Sequence, residues 1–164
     1  MKKTILILLL LLFSLRIFGQ CTNSNDFILS KSTRGLSYIT ICEYQDKSYF
    51  LVKQIRDLND GTRTRIKKNT PLYILDPSMS IVKLKLDRYV CYDNIDEELS
   101  TECYYYYPVT KEILSYLLIT PVSGIYLYRD DSVEYLEFND MTSLYLYKII
   151  RSYFIEHNWR FIGF

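Results

Sequence analysis

From Gly35 onward the chain breaks into short stretches in which apolar and polar side chains alternate, the period of a strand with one face buried and one in water. In GLSYITICEY, Leu36, Tyr38, Thr40, Cys42 and Tyr44 share one side, and SYFLVKQI follows across the polar bridge Gln45-Asp46-Lys47, which predicts a β-hairpin. PLYIL and SIVKLKL flank DPSMS, where Asp76-Pro77 signals a turn, so two more strands are expected. In the second of these, Val82, Leu84 and Leu86 take the core side and Lys83 and Lys85 the water side. GIYLYR and VEYLEF flank Asp130-Asp131-Ser132 as a further hairpin.

The period changes twice. After the run CYYYYPVT, Pro108 holds Tyr107 extended, so Tyr104 to Tyr107 form a strand with Tyr104 and Tyr106 on one face and Tyr105 and Tyr107 on the other. Thr110 then reads as an N-cap, Glu112 lies in the first turn, and Ile113, Leu114, Leu117 and Leu118 make an apolar stripe ending before Pro121. This predicts a short helix over about residues 111–118. Asn139 or Asp140 caps a longer helix over about 141–157, with Leu146, Tyr147, Ile150, Tyr153 and Phe154 at helical spacing. The apolar tail NWRFIGF is expected to pack back on the body. The elements add up to an α+β fold, one antiparallel sheet of about six to eight strands with both helices against it.

The first twenty residues depart from this pattern. Lys2 and Lys3 precede an unbroken apolar run from Ile5 to Phe13, followed by small residues at Ser14 and Gly19, which is the layout of a secretory signal peptide over 1–20. A membrane anchor is the competing reading, but the run is short of the roughly 20 apolar residues that span a bilayer, and Arg16 interrupts it. Residues 21–164 then form a single domain. Cys21 follows the signal directly and is a lipidation candidate, although Phe18, Gly19 and Gln20 fit poorly the aliphatic and small residues that precede a lipidated cysteine. The expected place is outside the cytoplasm, periplasmic or extracellular, with a membrane met only through the signal or a lipid on Cys21.

Export puts the four cysteines in an oxidising compartment. Of three pairings, Cys91 with Cys103 is preferred, because the two edge the acidic loop YDNIDEELSTE that a bridge would close, at about 3 kcal/mol. Cys21 then pairs with Cys42, or Cys42 stays a buried thiol. No two cysteines have the close spacing of a zinc site, and no metal or other cofactor is expected. Removing Lys2, Lys3 and Arg16 with the signal takes the formal charge from +1 to −2, a balance that implies neither nucleic acid nor an anionic membrane as partner.

No catalytic residues are assigned. His157, the one histidine, falls at the end of the last helix where the negative end of the dipole favours it, and no G-x-S-x-G is present. Asp93, Asp96, Glu97, Glu98 and Glu102 cluster in the acidic loop without the order of an EF-hand, and a solvated loop accounts for them. Two of them acting as acid and base would make the chain a glycan hydrolase, the alternative reading. Lys53, Arg56, Arg63, Arg65, Lys67 and Lys68 form a basic segment suited to an acidic partner or to guarding a sheet edge.

The 17 tyrosines carry the remaining signal. With Ile125 and Leu127 in the core, Tyr126 and Tyr128 face out, beside one pair of the run, Tyr105 and Tyr107 or else Tyr104 and Tyr106, if one sheet surface holds both pairs; the competing reading is cross-strand packing, since the helices must cover one of these faces. Such a row is an amphipathic platform for sugar rings or a protein partner. The ending FGQ, the stretch YYPVTKEILSYLL and the hairpin GIYLYRDDSVEYLEF resemble small secreted proteins of Bacteroidetes, a group without an assigned activity. The resemblance implies the compartment and the element order. The expected function is an exported, non-enzymatic binding module of the cell envelope. It would contact a glycan or envelope protein through Tyr105, Tyr107, Tyr126 and Tyr128, or through the basic loop residues Arg63, Arg65, Lys67 and Lys68. A structural envelope subunit is a further alternative.

Overall fold

Pairing gathers the alternating stretches into two sheets. The computed structural model describes residues 27–32, 35–57, 70–94, 100–128 and 133–159. Over these the chain runs β1 (Phe27–Ser32), β2 (Gly35–Tyr44), β3 (Lys47–Asp57), β4 (Leu72–Leu75), β5 (Ile81–Leu84), β6 (Arg88–Asn94) and β7 (Ser100–Pro108). It continues as α1 (Lys111–Ile119), β8 (Gly124–Tyr128), β9 (Val133–Glu137) and α2 (Asp140–Glu156). The α+β class and both helices agree with the sequence reading, whereas the single sheet does not. Five strands form one sheet in the order β1-β2-β3-β7-β6 and four form another in the order β5-β4-β8-β9, every neighbour antiparallel. The split arises because β3 pairs with the distant β7 rather than with β4, leaving β4 to pair with β8. β1 and β6, which the alternation does not mark, are the edges of the first sheet and bring the described strands to nine, above the six to eight expected.

Local chemistry fixes the turns and caps. Gln45 and Asp46, at φ 50° and 58°, both take the left-handed conformation that a two-residue hairpin turn requires, so Lys47 belongs to β3 rather than to the bridge. Thr110 caps α1 by accepting from the Ile113 N–H at 3.3 Å, and Asn139 caps α2 by accepting from the Thr142 N–H at 2.9 Å.

The two sheets turn their apolar faces to one core that the helices complete. Ile39, Ile41, Phe50, Val52, Tyr105 and Tyr107 enter it from the first sheet, and Leu72, Ile74, Leu84, Ile125 and Leu127 from the second. Leu114, Leu117 and Leu118 of α1 and Leu146, Ile150, Tyr153 and Phe154 of α2 fill the same cluster. At the end of α2 the Tyr153 hydroxyl bonds the Ser48 hydroxyl at 2.8 Å. His157 there lies 2.9 Å from the Tyr153 carbonyl oxygen through Nδ1 and 2.7 Å from Glu43 Oε2 through Nε2. Trp159 packs edge-on to Tyr153 and Phe154, as expected for the start of the tail. No helix among the described residues is long and apolar enough to cross a membrane. The signal segment 1–20, Cys21 and residues 160–164 lie outside the described residues.

Cys91 and Cys103 form a disulfide across β6 and β7, where they are direct register partners with Cα atoms 4.1 Å apart. Replacing both by serine is expected to lower the unfolding free energy by about 2–4 kcal/mol, read as a fall in urea midpoint at constant slope. An unchanged midpoint would show that strand pairing alone holds this edge.

Candidate functional site

The tyrosine run divides by parity, and the outcome reverses one expectation. On β7, Tyr105 and Tyr107 stand opposite Val52 and Phe50 of β3 and are each 1% exposed. Burial pushes the Tyr107 phenol far above the ordinary tyrosine range. They therefore do not lie beside Tyr126 and Tyr128, which belong to the other sheet. The physical reason is that both helices and the second sheet cover this face of β7, a choice that alternation leaves open.

Tyr126 and Tyr128 do point out of the core, as expected, and they have company. On the outer face of the second sheet Tyr73 of β4, Tyr126 of β8 and Tyr135 of β9 are successive cross-strand partners. Tyr126 and Tyr135 lie with ring centroids 4.8 Å apart, and Tyr73 and Tyr128 at 5.5 Å. Lys83 Nζ sits 5.5 Å from the Tyr73 ring centroid, closing the row at the β5 edge. Gly124 makes the row low. A Cβ there would stand 2.5 Å from Tyr135 Cε2 and 2.7 Å from its hydroxyl oxygen, so only glycine lets the ring fold diagonally across the strand. Tyr135 is 43% exposed and the other three rings are half-buried. The described helices pack on the opposite face of this sheet.

The outer face of the first sheet is also aromatic. Cys42, Tyr49, Leu51 and Tyr106 form a small cluster there with Tyr44 and Tyr104 packed on it. Glu102 accepts from the Tyr104 hydroxyl at 2.6 Å and pairs with Lys53 at 3.1 Å. Burial works to raise the Glu102 carboxyl, but Tyr104 and Lys53 outweigh it and hold it below the usual glutamate range. Arg88 lies between the Tyr44 and Tyr106 rings.

A third polar centre braces the second sheet. The buried carboxylate of Asp76, in the β4–β5 turn, accepts from the Ser78 hydroxyl at 2.7 Å, the Ser80 N–H at 2.8 Å and the Tyr116 hydroxyl of α1 at 2.7 Å. These bonds, Ser78 first and Tyr116 next, hold the carboxyl below the ordinary aspartate range, and Asp76 in turn raises the Tyr116 phenol. Beside it a cleft of 340 Å³ is lined by Ser80, Ile81, Val82, Glu112, Ile113 and Tyr116. A second cleft, of 280 Å³, runs between α1 and α2 past Leu117, Pro121, Leu144 and Tyr147 and is largely apolar. Neither gathers the convergent polar groups of a small-molecule site.

The basic residues Arg63, Arg65, Lys67 and Lys68 and the acidic residues Asp96, Glu97 and Glu98 lie outside the described residues. Tyr73, Tyr135 and Arg88 were missed by sequence reasoning. Alternation marks Tyr73 and Tyr135 as outward, but their meeting with Tyr126 depends on strand order. Comparison with protein-family models, curated proteins and solved structures finds no match for this chain.

Two outcomes follow from these contacts. Gly124→Ala meets the Tyr135 ring and, at 2.8 Å, the Leu136 carbonyl oxygen, and should cost about 1–3 kcal/mol in urea unfolding. Adding Tyr135→Ala relieves only the ring contact and so restores part of the loss. Asp76, with its folded value depressed below an unfolded value of about 3.9, adds stability above that pH and loses it as pH falls through the folded value. The wild-type urea midpoint should therefore drop more steeply below about pH 4 than that of Asp76→Asn, and parallel profiles would refute the assignment.

Proposed function

We propose that this protein is an exported, non-enzymatic binding module that takes a glycan on the tyrosine ladder of its second sheet. The observation that carries the reading is the ladder itself: Tyr73, Tyr126, Tyr128 and Tyr135 on one sheet face, with the Tyr135 ring lying over Gly124 and Lys83 at the edge. A sugar ring has an apolar C–H face and a rim of hydroxyls, and tyrosine offers the complement of both, a ring to stack on and a phenol to hydrogen-bond. A patch of four rings suits a ligand of this size better than a protein partner, which would need roughly 800 Å² on each side. The signal layout of residues 1–20 and the Cys91–Cys103 disulfide support an oxidising, extracytoplasmic setting.

A glycan array followed by titration calorimetry tests this. Tyr126→Ala and Tyr135→Ala should each weaken binding of the best glycan by about tenfold, the effect of losing one stacking ring. Array hits whose affinity is indifferent to both substitutions, or an array without hits, would end the reading.

A further inference from the structure

The helices carry a surface that the ladder does not use. The 280 Å³ cleft between α1 and α2 has an apolar floor in which Leu117, Val122 and Leu146 are buried. At its mouth Ile119 and Leu144 are 59% and 45% exposed. Large apolar side chains left in water around an apolar groove mark a docking surface.

The charge at the mouth narrows what could dock. Pro121 stands where the donor for the Leu117 carbonyl oxygen would be and has no N–H to give, and the last turn of α1 holds no basic side chain, so this helix end keeps its partial negative charge. On the facing wall Asp140, in the first turn of α2, lines the same cleft. Among the described residues no lysine, arginine or histidine lines the cleft, and none pairs with Asp140. The amino end of α2 contributes about half a positive charge, which the full charge of Asp140 outweighs, so the balance is negative.

An apolar trough with a negative mouth fits lysine, which lays its four-carbon stem along apolar surface and keeps its ammonium at the edge. The three ammonium N–H groups diverge and so suit acceptors on two opposed helices, whereas the flat fork of arginine needs two acceptors in one plane. A lysine presented by a partner is oriented by that partner's backbone, so the cleft can do without the polar groups that would orient a free small molecule. We propose that the α1–α2 cleft docks a protein partner that inserts a lysine, its stem against Leu117 and Leu146 and its ammonium between Asp140 and the carbonyl end of α1. Apolar residues flanking that lysine rest on Ile119 and Leu144. This surface is separate from the ladder, since the helices pack on the other face of the second sheet.

Nuclear magnetic resonance titration of the isotope-labelled protein with the acetylated, amidated tripeptide leucine–lysine–leucine tests the proposal. The backbone amides of Leu118, Ser143 and Leu144 should shift together at about 1–10 mM peptide, the range open to one inserted side chain. The norleucine analogue, which keeps the stem and loses the ammonium, should bind about fivefold more weakly, the worth of an ion pair at a solvated rim. Added salt should shrink that difference. Asp140→Asn should remove most of it, and leaves the Asn139 cap in place. The lysine–norleucine comparison on the wild type stands whether or not the variant folds. Tyr126→Ala should leave the titration unchanged, so failure here and failure of the ladder are read separately. Equal binding of the two peptides, tighter binding of an arginine analogue, absence of shifts at the cleft, or a folded Asp140→Asn variant with the full lysine preference would overturn the proposal.

Discussion

Tyr105 and Tyr107 are two of the largest side chains in the core, and the arrangement of the first sheet follows from burying them. Each brings well over a hundred square ångströms of ring that gains from leaving water, and each brings a phenol whose ionised form cannot be tolerated there. Facing Val52 and Phe50, they set the register of β7 on β3, and β7 then receives β6 on its other edge. Because side chains alternate strictly along a strand, seating these two rings inside leaves Tyr104 and Tyr106 on the other face. One packing decision therefore sorts four consecutive identical residues into two kinds.

The same sorting runs through the second sheet. Ile125 and Leu127 enter the common core, so Tyr126 and Tyr128 must stand outside it, and pairing supplies Tyr73 and Tyr135 beside them. Both outer faces are thus rich in phenols, but they differ in character. The ladder of the second sheet is a row of tyrosine rings with one lysine at its margin. The first sheet instead carries charge embedded among rings, with Lys53 and Glu102 paired and Arg88 held between the Tyr44 and Tyr106 rings. Aromatic rings in both places serve first as cross-strand partners, and what remains accessible of them is available for recognition.

Much of this was legible in the sequence where the signal is local. The hairpins, the Thr110 cap and the end of α1 before Pro121 depend on residues within a few positions of one another, and the alternation at Ile125 to Tyr128 gives the right outward pair. What could not be read is non-local. Whether β3 meets β4 or β7 is a matter of pairing across some fifty residues of chain, and that pairing divides the strands into two sheets. It also decides which face of the tyrosine run the helices cover, a choice that alternation leaves open between the two pairs, and it puts Tyr105 and Tyr107, candidates for the binding face, inside. Arg88 gave no sign at all: a lone arginine before YVCY reads as an edge charge until Tyr44 and Tyr106 are brought to it from β2 and β7.

The disulfide joins these threads. Arg88 lies three residues before Cys91 and Tyr106 three residues after Cys103, so in an antiparallel pair the bond between the two sulfurs also sets arginine opposite ring. The covalent link acts as a ruler, carrying an oxidation event at one place on the strand pair into the alignment of a cation and an aromatic face three rungs away. Assembly of that contact is thereby tied to the chemistry of the compartment in which the chain matures, and material produced under reducing conditions lacks the part that sets its gauge.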